Sequence, residues 1–113
     1  MDKSEDVEIQ YWSNGNKRSE VHYNCKGKEE GLRTEWYESG AKKSECKYST
    51  GRITGIANTW YESGQMEFEI PFKIGARHGV QIKWSESGKI ESEDYYEKGS
   101  LKEKLPLNYM SNK

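Results

Sequence analysis

The stretch Trp36-Tyr37-Glu38-Ser39-Gly40 decides the fold, because it returns at a fixed interval. It recurs unchanged at 60–64, again as Trp84-Ser85-Glu86-Ser87-Gly88, and in worn form as Tyr11-Trp12-Ser13-Asn14-Gly15. The glycines that close these units fall at 15, 40, 64 and 88. A second column stands at 27, 51, 75 and 99, and a third at 31, 55 and 79. The three columns hold all 11 glycines of the 113-residue chain. A step near 24 residues means stacked units, each burying an apolar side against its neighbours. The repeats run over 7–27, 28–51, 52–75 and 76–99 of a single domain, 1–113, and a tail or cap follows over 100–113.

Each repeat reads as two strands. In the second, Leu32, Thr34 and Trp36 alternate with Arg33, Glu35 and Tyr37, the period of a strand. Glu38-Ser39-Gly40 has the form of a type I turn closed by a left-handed glycine in a G1 bulge. The same grammar is expected at Ser49-Thr50-Gly51, Lys73-Ile74-Gly75 and Glu97-Lys98-Gly99. Only Asn24-Cys25-Lys26-Gly27 carries an extra residue, which accounts for the one step of 25. The glycine frame aligns Tyr11 with Trp36, and therefore Trp12 with Tyr37 and Tyr61. The fold class is all-β: a single-layer antiparallel meander of repeated β-hairpins, four repeats and about eight strands, with the tail adding a ninth or folding over the last edge.

Counting outward from the turns predicts the register. Trp36 should face Lys42, Thr34 Ser44, and Leu32 Cys46; Trp60 should face Met66 and Asn58 Phe68. Trp84 should face Ile90, Ile82 Ser92, His78 Tyr96, and Val7 Val21. One face then collects nearly all the apolar side chains. The other is charged, with Arg33 opposite Glu45, Glu35 opposite Lys43, Lys83 opposite Glu91, and Gln10 opposite Arg18. A column of Glu20, Glu45, Glu69 and Glu93 is expected on that solvated face.

Leu, Ile, Val and Phe together number only 16, a level at which disorder must be considered. Disorder also requires high net charge and few aromatics, and here the net charge is -1 with 4 Trp and 8 Tyr at periodic positions. The chain should fold around a thin aromatic layer. Its 18 basic and 19 acidic residues are interspersed, which argues against nucleic acid and makes a membrane surface a poor partner. No apolar run approaches the roughly 20 residues of a membrane span. The polar, acidic start, 1–6, is unlike a signal peptide, so a cytoplasmic location is expected. Cys25 and Cys46 occupy unmatched repeat positions and read as reduced thiols.

With these residues in place a resemblance can be named. Gly31, Trp36-Tyr37, Gly40, Tyr48, Gly51 and Gly55 form a pattern that resembles the bacterial variant of the MORN repeat (membrane occupation and recognition nexus). Gly55, Trp60-Tyr61, Gly64, Phe72, Gly75 and Gly79 repeat it. The fourth unit departs at Ser85 and Glu103, and the first lacks its opening glycine. The resemblance implies an elongated one-layer sheet of hairpins. It also implies a protein-binding role: bacterial members are widely labelled as antitoxin or immunity proteins paired with toxins. Relatives elsewhere act as assembly modules or are linked to lipids.

Searches for chemistry give structural readings. His22 and His78 are expected on opposite faces, the glutamate column is too widely spaced to converge on a metal, and no glycine is followed by the Lys-Ser/Thr of a phosphate loop. No enzyme activity, cofactor or metal is expected. The expected function is a non-catalytic protein-binding module, an antitoxin or immunity-type inhibitor of a partner toxin. The alternatives are a scaffold or adaptor and, third, a lipid-surface module. An exposed apolar face and two sheet edges point to homodimerisation as well. The partner-binding residues expected on the charged face are Tyr37 and Tyr61, bordered by Arg33, Glu35, Glu45, Thr59 and Glu69, with Trp12 one repeat earlier.

Overall fold

The computed structural model describes residues 5–106. Among these residues ten strands form one antiparallel sheet with no helix: β1 (Glu5–Tyr11), β2 (Lys17–Asn24), β3 (Gly31–Trp36), β4 (Lys42–Ser49), β5 (Arg52–Trp60), β6 (Met66–Lys73), β7 (Ala76–Arg77), β8 (Gly79–Trp84), β9 (Ile90–Glu97) and β10 (Ser100–Lys104). Spatial order follows chain order from β1 to β10, except that the two-residue β7 pairs only with β6. The expected hairpin meander is therefore present. The start of the tail supplies its last strand, and the rest, 107–113, lies outside the described residues. The sheet is elongated, with extents of 53 × 34 × 20 Å and a radius of gyration of 16.2 Å, against about 13 Å for a compact chain of this length.

Two kinds of turn alternate. Within a repeat, Gly40 N donates to Tyr37 O and Tyr37 N to Ala41 O at 2.9 and 2.8 Å, and the same pair of bonds recurs in the other three repeats. These are the expected G1 hairpins. The turns between repeats differ from expectation. At Thr50-Gly51, Ile74-Gly75 and Lys98-Gly99 both residues have positive φ, with Thr50 and Ile74 at 49° and Lys98 at 50°. These are two-residue type I′ turns, whose twist matches that of the flanking strands. The junction at 24–28 escapes because its extra residue restores the three-residue form. There Asn24 Oδ1 accepts the amides of Lys26 and Lys28 at 2.9 and 3.1 Å.

The register differs from the count by one residue beyond Tyr11, Trp36, Trp60 and Trp84. Trp36 does face Lys42, but the next pair is Glu35 with Ser44, so Lys43 is an extra residue on the return strand. The same bulge recurs with Arg18, Glu67 and Glu91 as the extra residue. A one-residue slip turns every later side chain to the other face. Thr34 therefore faces Glu45, Arg33 Cys46, Asn58 Glu69, and Ile82 Glu93. Val7 faces His22, and Tyr96 faces Gly79 rather than His78.

The expectation of one apolar and one charged face is corrected accordingly. The first face carries Trp36, Trp60 and Trp84 together with the glutamate column, which was expected on the other side. Lys17 lies 5.6 Å from the Trp36 ring centroid, and Lys42 the same distance from that of Trp60. The same two lysines bond Glu20 and Glu45 at 2.8 and 3.3 Å, contacts from i to i+3 that the bulge makes possible. The second face carries Val21, Cys46, Ala57, Phe68 and Ile70. The core is thin and divided: among the described apolar residues only Val21, Ala57 and Ile82 are buried, and Glu93 is 1% exposed.

Candidate functional site: the second face and its rim

In the first three repeats, the residue that follows the large aromatic ties that repeat to the next. Trp12 Nε1 donates to Trp36 O at 3.1 Å, Tyr37 Oη to Trp60 O at 2.7 Å, and Tyr61 Oη to Trp84 O at 2.7 Å. These side chains span repeats at the edge of the sheet, where the first-repeat Asn14 and Asn16 also both donate to Glu38 O at 2.9 Å. Desolvation, then nearby carboxylates led by Glu67, raises both the Tyr37 and Tyr61 phenols above the ordinary tyrosine range. Along the opposite edge, Gly51, Gly75 and Gly99 close their repeats by donating backbone amides to Glu29, Ile53 and Arg77 near the start of the same repeat. The side-chain bonds between successive repeats thus run along one long edge, and the other edge is closed within each repeat.

Of the residues expected to bind a partner, Trp12, Arg33 and Glu35 come together in one shallow cleft, with Gln10, Arg18, Ser19, Trp36 and Lys43 completing its lining. Thr59 lies on the same face, where Ser44 is its register partner and its hydroxyl donates to Glu67. Tyr37 and Tyr61 stand at the rim. Glu45 and Glu69 lie on the first face instead, with Thr34 and Asn58, because the bulge has turned them over.

The cleft holds three cations and one carboxylate. The Arg18 guanidinium lies 4.7 Å from the Trp12 ring centroid, and the Lys43 ammonium 5.6 Å from that of Tyr37. Neither makes an ion pair among the described residues. Arg33 sits 6.0 Å from the Tyr48 ring centroid and 3.7 Å from Glu29, and its own Nε and Glu29 Oε2 are buried without partners. Glu35 accepts the Ser44 hydroxyl at 3.3 Å. At the far end of the same face, Lys83 pairs with Glu91 at 3.5 Å and covers the Phe68 ring.

Counting missed the importance of the bulge position. Its occupants are Arg18, Lys43, Glu67 and Glu91, two basic and then two acidic along the long axis. The order of charges was present in the sequence, but its projection onto one face depends on the bulge. The first face exposes apolar side chains instead, with Val7 48%, Leu32 50% and Ile56 53% accessible.

Other chemistry is sparse among the described residues. No group of three His, Cys, Asp or Glu could hold a metal, and no helix is long and apolar enough to cross a membrane. Cys25 is exposed and Cys46 half-buried, both as free thiols. His78 Nδ1 accepts the Lys98 amide at 3.4 Å, while His22 contacts Glu20 at 3.0 Å. A family model described as MORN repeat variant matches the chain four times, over 7–24, 29–49, 53–73 and 77–98. No curated protein matches it.

Proposed function

We propose, for a chain that belongs to the MORN repeat variant family, a non-catalytic protein-binding function exercised through the second face of the sheet. The family supplies the starting point, since its members are in general repeat modules rather than enzymes. The observation that carries the reading is the open architecture. The chain exposes 7395 Å², where a compact protein of its mass would expose about 6,400 Å². The second face combines rigid aromatics with unpaired cations, which gives apolar contact together with electrostatic steering.

Within this class an inhibitor of the antitoxin or immunity kind ranks first, on resemblance alone, and a scaffold or adaptor second. The two separate by consequence: an inhibitor abolishes its partner's activity at one-to-one stoichiometry, whereas a scaffold leaves it intact. The binding reading is tested by isolating a stoichiometric partner from the native host and titrating the purified pair by calorimetry. Binding that Arg18→Glu with Lys43→Glu weakens, and that Lys47→Glu on the opposite face leaves unchanged, supports it. A partner insensitive to both changes refutes the assignment of the face.

A further inference from the structure

We infer that the second face binds a second copy of this chain, in a face-to-face dimer whose two-fold axis runs parallel to β5. The inference rests on the protein-binding reading of this face and names one partner for it. Its ground is a charge pattern that is complementary to itself. Along the sheet, β5 is the middle strand, with β4, β3 and β2 on one side and β6, β8 and β9 on the other. A two-fold axis along β5 lays β4 over β6 of the second copy, β3 over β8, and β2 over β9.

Three side chains on each side of the axis occupy matching places in their repeats. Lys43 on β4 then meets Glu67 of the second copy, Glu35 on β3 meets its Lys83, and Arg18 on β2 meets its Glu91. Every one of these is an opposite-charge pair, and symmetry doubles each. Ala57 and Thr59 lie on the axis itself, where small side chains let the two sheets approach. Further along the strands, Tyr48 meets Phe72 and Tyr23 meets Tyr96 of the second copy, which adds apolar contact to the charge pairs.

The alternatives fail on the same residues. Moving the axis one repeat, to β3 or β8, sets Arg18 against Lys43 or Glu67 against Glu91. Using the first face with the axis along β5 sets Glu45 against Glu69. Like charges brought together in this way oppose association. Area does not limit the arrangement: a sheet with sides of 53 and 34 Å exceeds the roughly 800 Å² each partner gives to a standard interface.

The test is a charge swap on the full chain, read by sedimentation equilibrium at low and high salt. The wild-type chain should sediment at twice its 13.2 kDa at micromolar concentration, and dissociate as salt rises. Lys43→Glu should weaken the dimer by about tenfold or more, as should Glu67→Lys. The double variant Lys43→Glu with Glu67→Lys should recover it. A chain carrying Arg18→Glu and Lys43→Glu should pair with one carrying Glu67→Lys and Glu91→Lys. Lys47→Glu, on the first face, should change nothing. All these positions are exposed or half-exposed, and thermal melting of each variant verifies that it is folded.

A wild-type chain that stays monomeric at high micromolar concentration in low salt overturns the inference. So does a dimer indifferent to the swaps. The protein-binding reading has a separate fate: a monomeric chain that binds another protein through Arg18 and Lys43 retains that reading and loses only the self-association.

Discussion

The Tyr37 hydroxyl of the second repeat donates a 2.7 Å hydrogen bond to the backbone carbonyl of Trp60 in the third. Tyr61 does the same to Trp84 one repeat later, and Trp12 does it through its indole one repeat earlier. A one-layer sheet has no second layer to hold its units in line, so contacts between successive repeats must do so. Removing only the hydroxyl isolates that contribution. Tyr37→Phe and Tyr61→Phe should each lower stability by about 1 kcal/mol, the net worth of a typical hydrogen bond. Urea unfolding should move its midpoint without changing its slope. Wild-type stability in both variants would show that the bond does not join the repeats energetically.

The extent to which this sheet is legible in its sequence divides at the bulge. The glycine columns give the repeats, their strands and the turns within them, because a left-handed turn residue is a steric requirement that leaves its mark on composition. They also align Trp12 with Tyr37, although Trp12 lies 24 residues before Trp36 and invites the wrong pairing. The extra residue at Arg18, Lys43, Glu67 or Glu91 leaves no such mark, since any side chain can occupy it. Its only trace is Lys17 with Glu20 and Lys42 with Glu45, opposite charges three apart that an unbulged strand would place on opposite faces. The type I′ turns are hidden for a related reason: Thr50, Ile74 and Lys98 are not residues that prefer positive φ. For the candidate site, the grouping of Trp12, Arg33 and Glu35 was visible, while Glu45 and Glu69 were carried to the wrong side by the slip.

Backbone strain offers a test with opposite signs. Ile74 is a β-branched residue at φ 49° and is 66% exposed, so Ile74→Gly should raise stability by about 0.5–1 kcal/mol through relief of left-handed strain. Gly79 has φ +123°, and an added Cβ would stand 2.9 Å from Pro71 Cγ. Gly79→Ala should cost about 2 kcal/mol or more, because neither the backbone angle nor the proline ring can yield easily. Equal melting temperatures for the two variants would contradict the backbone assignment at these turns.

The two thiols should differ in reactivity. Burial raises the Cys46 thiol above the usual range, outweighing the opposing pull of the nearby Arg33, whereas Cys25 sits exposed in its loop. The raised Cys46 thiol is the poorer nucleophile and Cys25 the more accessible one, so limited iodoacetamide at mildly alkaline pH should label Cys25 first, by about tenfold or more in rate. Mass mapping of singly labelled chains checks this, and preferential labelling of Cys46 would place it on an open surface.

Glu20 sets an expectation for acid. Hydrogen bonds from Lys17 first, and then from His22, hold its carboxyl below the ordinary glutamate range. A carboxylate whose folded pKa is depressed stabilises the fold above its unfolded pKa. That stabilisation is lost as pH falls through the folded value. Wild-type stability should therefore decline below about pH 4.5, and Glu20→Gln should flatten that part of the decline. An unchanged acid limb in Glu20→Gln would remove Glu20 from the account of acid sensitivity.

Adjacent lysines on opposite faces give the most direct measurement of which surface binds protein. Lys42 lies over Trp60 on the first face, and Lys43 over Tyr37 beside the cleft of the second. Acetylation by limiting acetic anhydride can be followed at each lysine by mass spectrometry, as chain concentration rises from nanomolar to high micromolar. The predicted result is a modification rate at Lys43 that falls with self-association while that at Lys42 stays constant. Protection of Lys42 with Lys43 still reactive would place the binding surface on the tryptophan face and contradict the assignment.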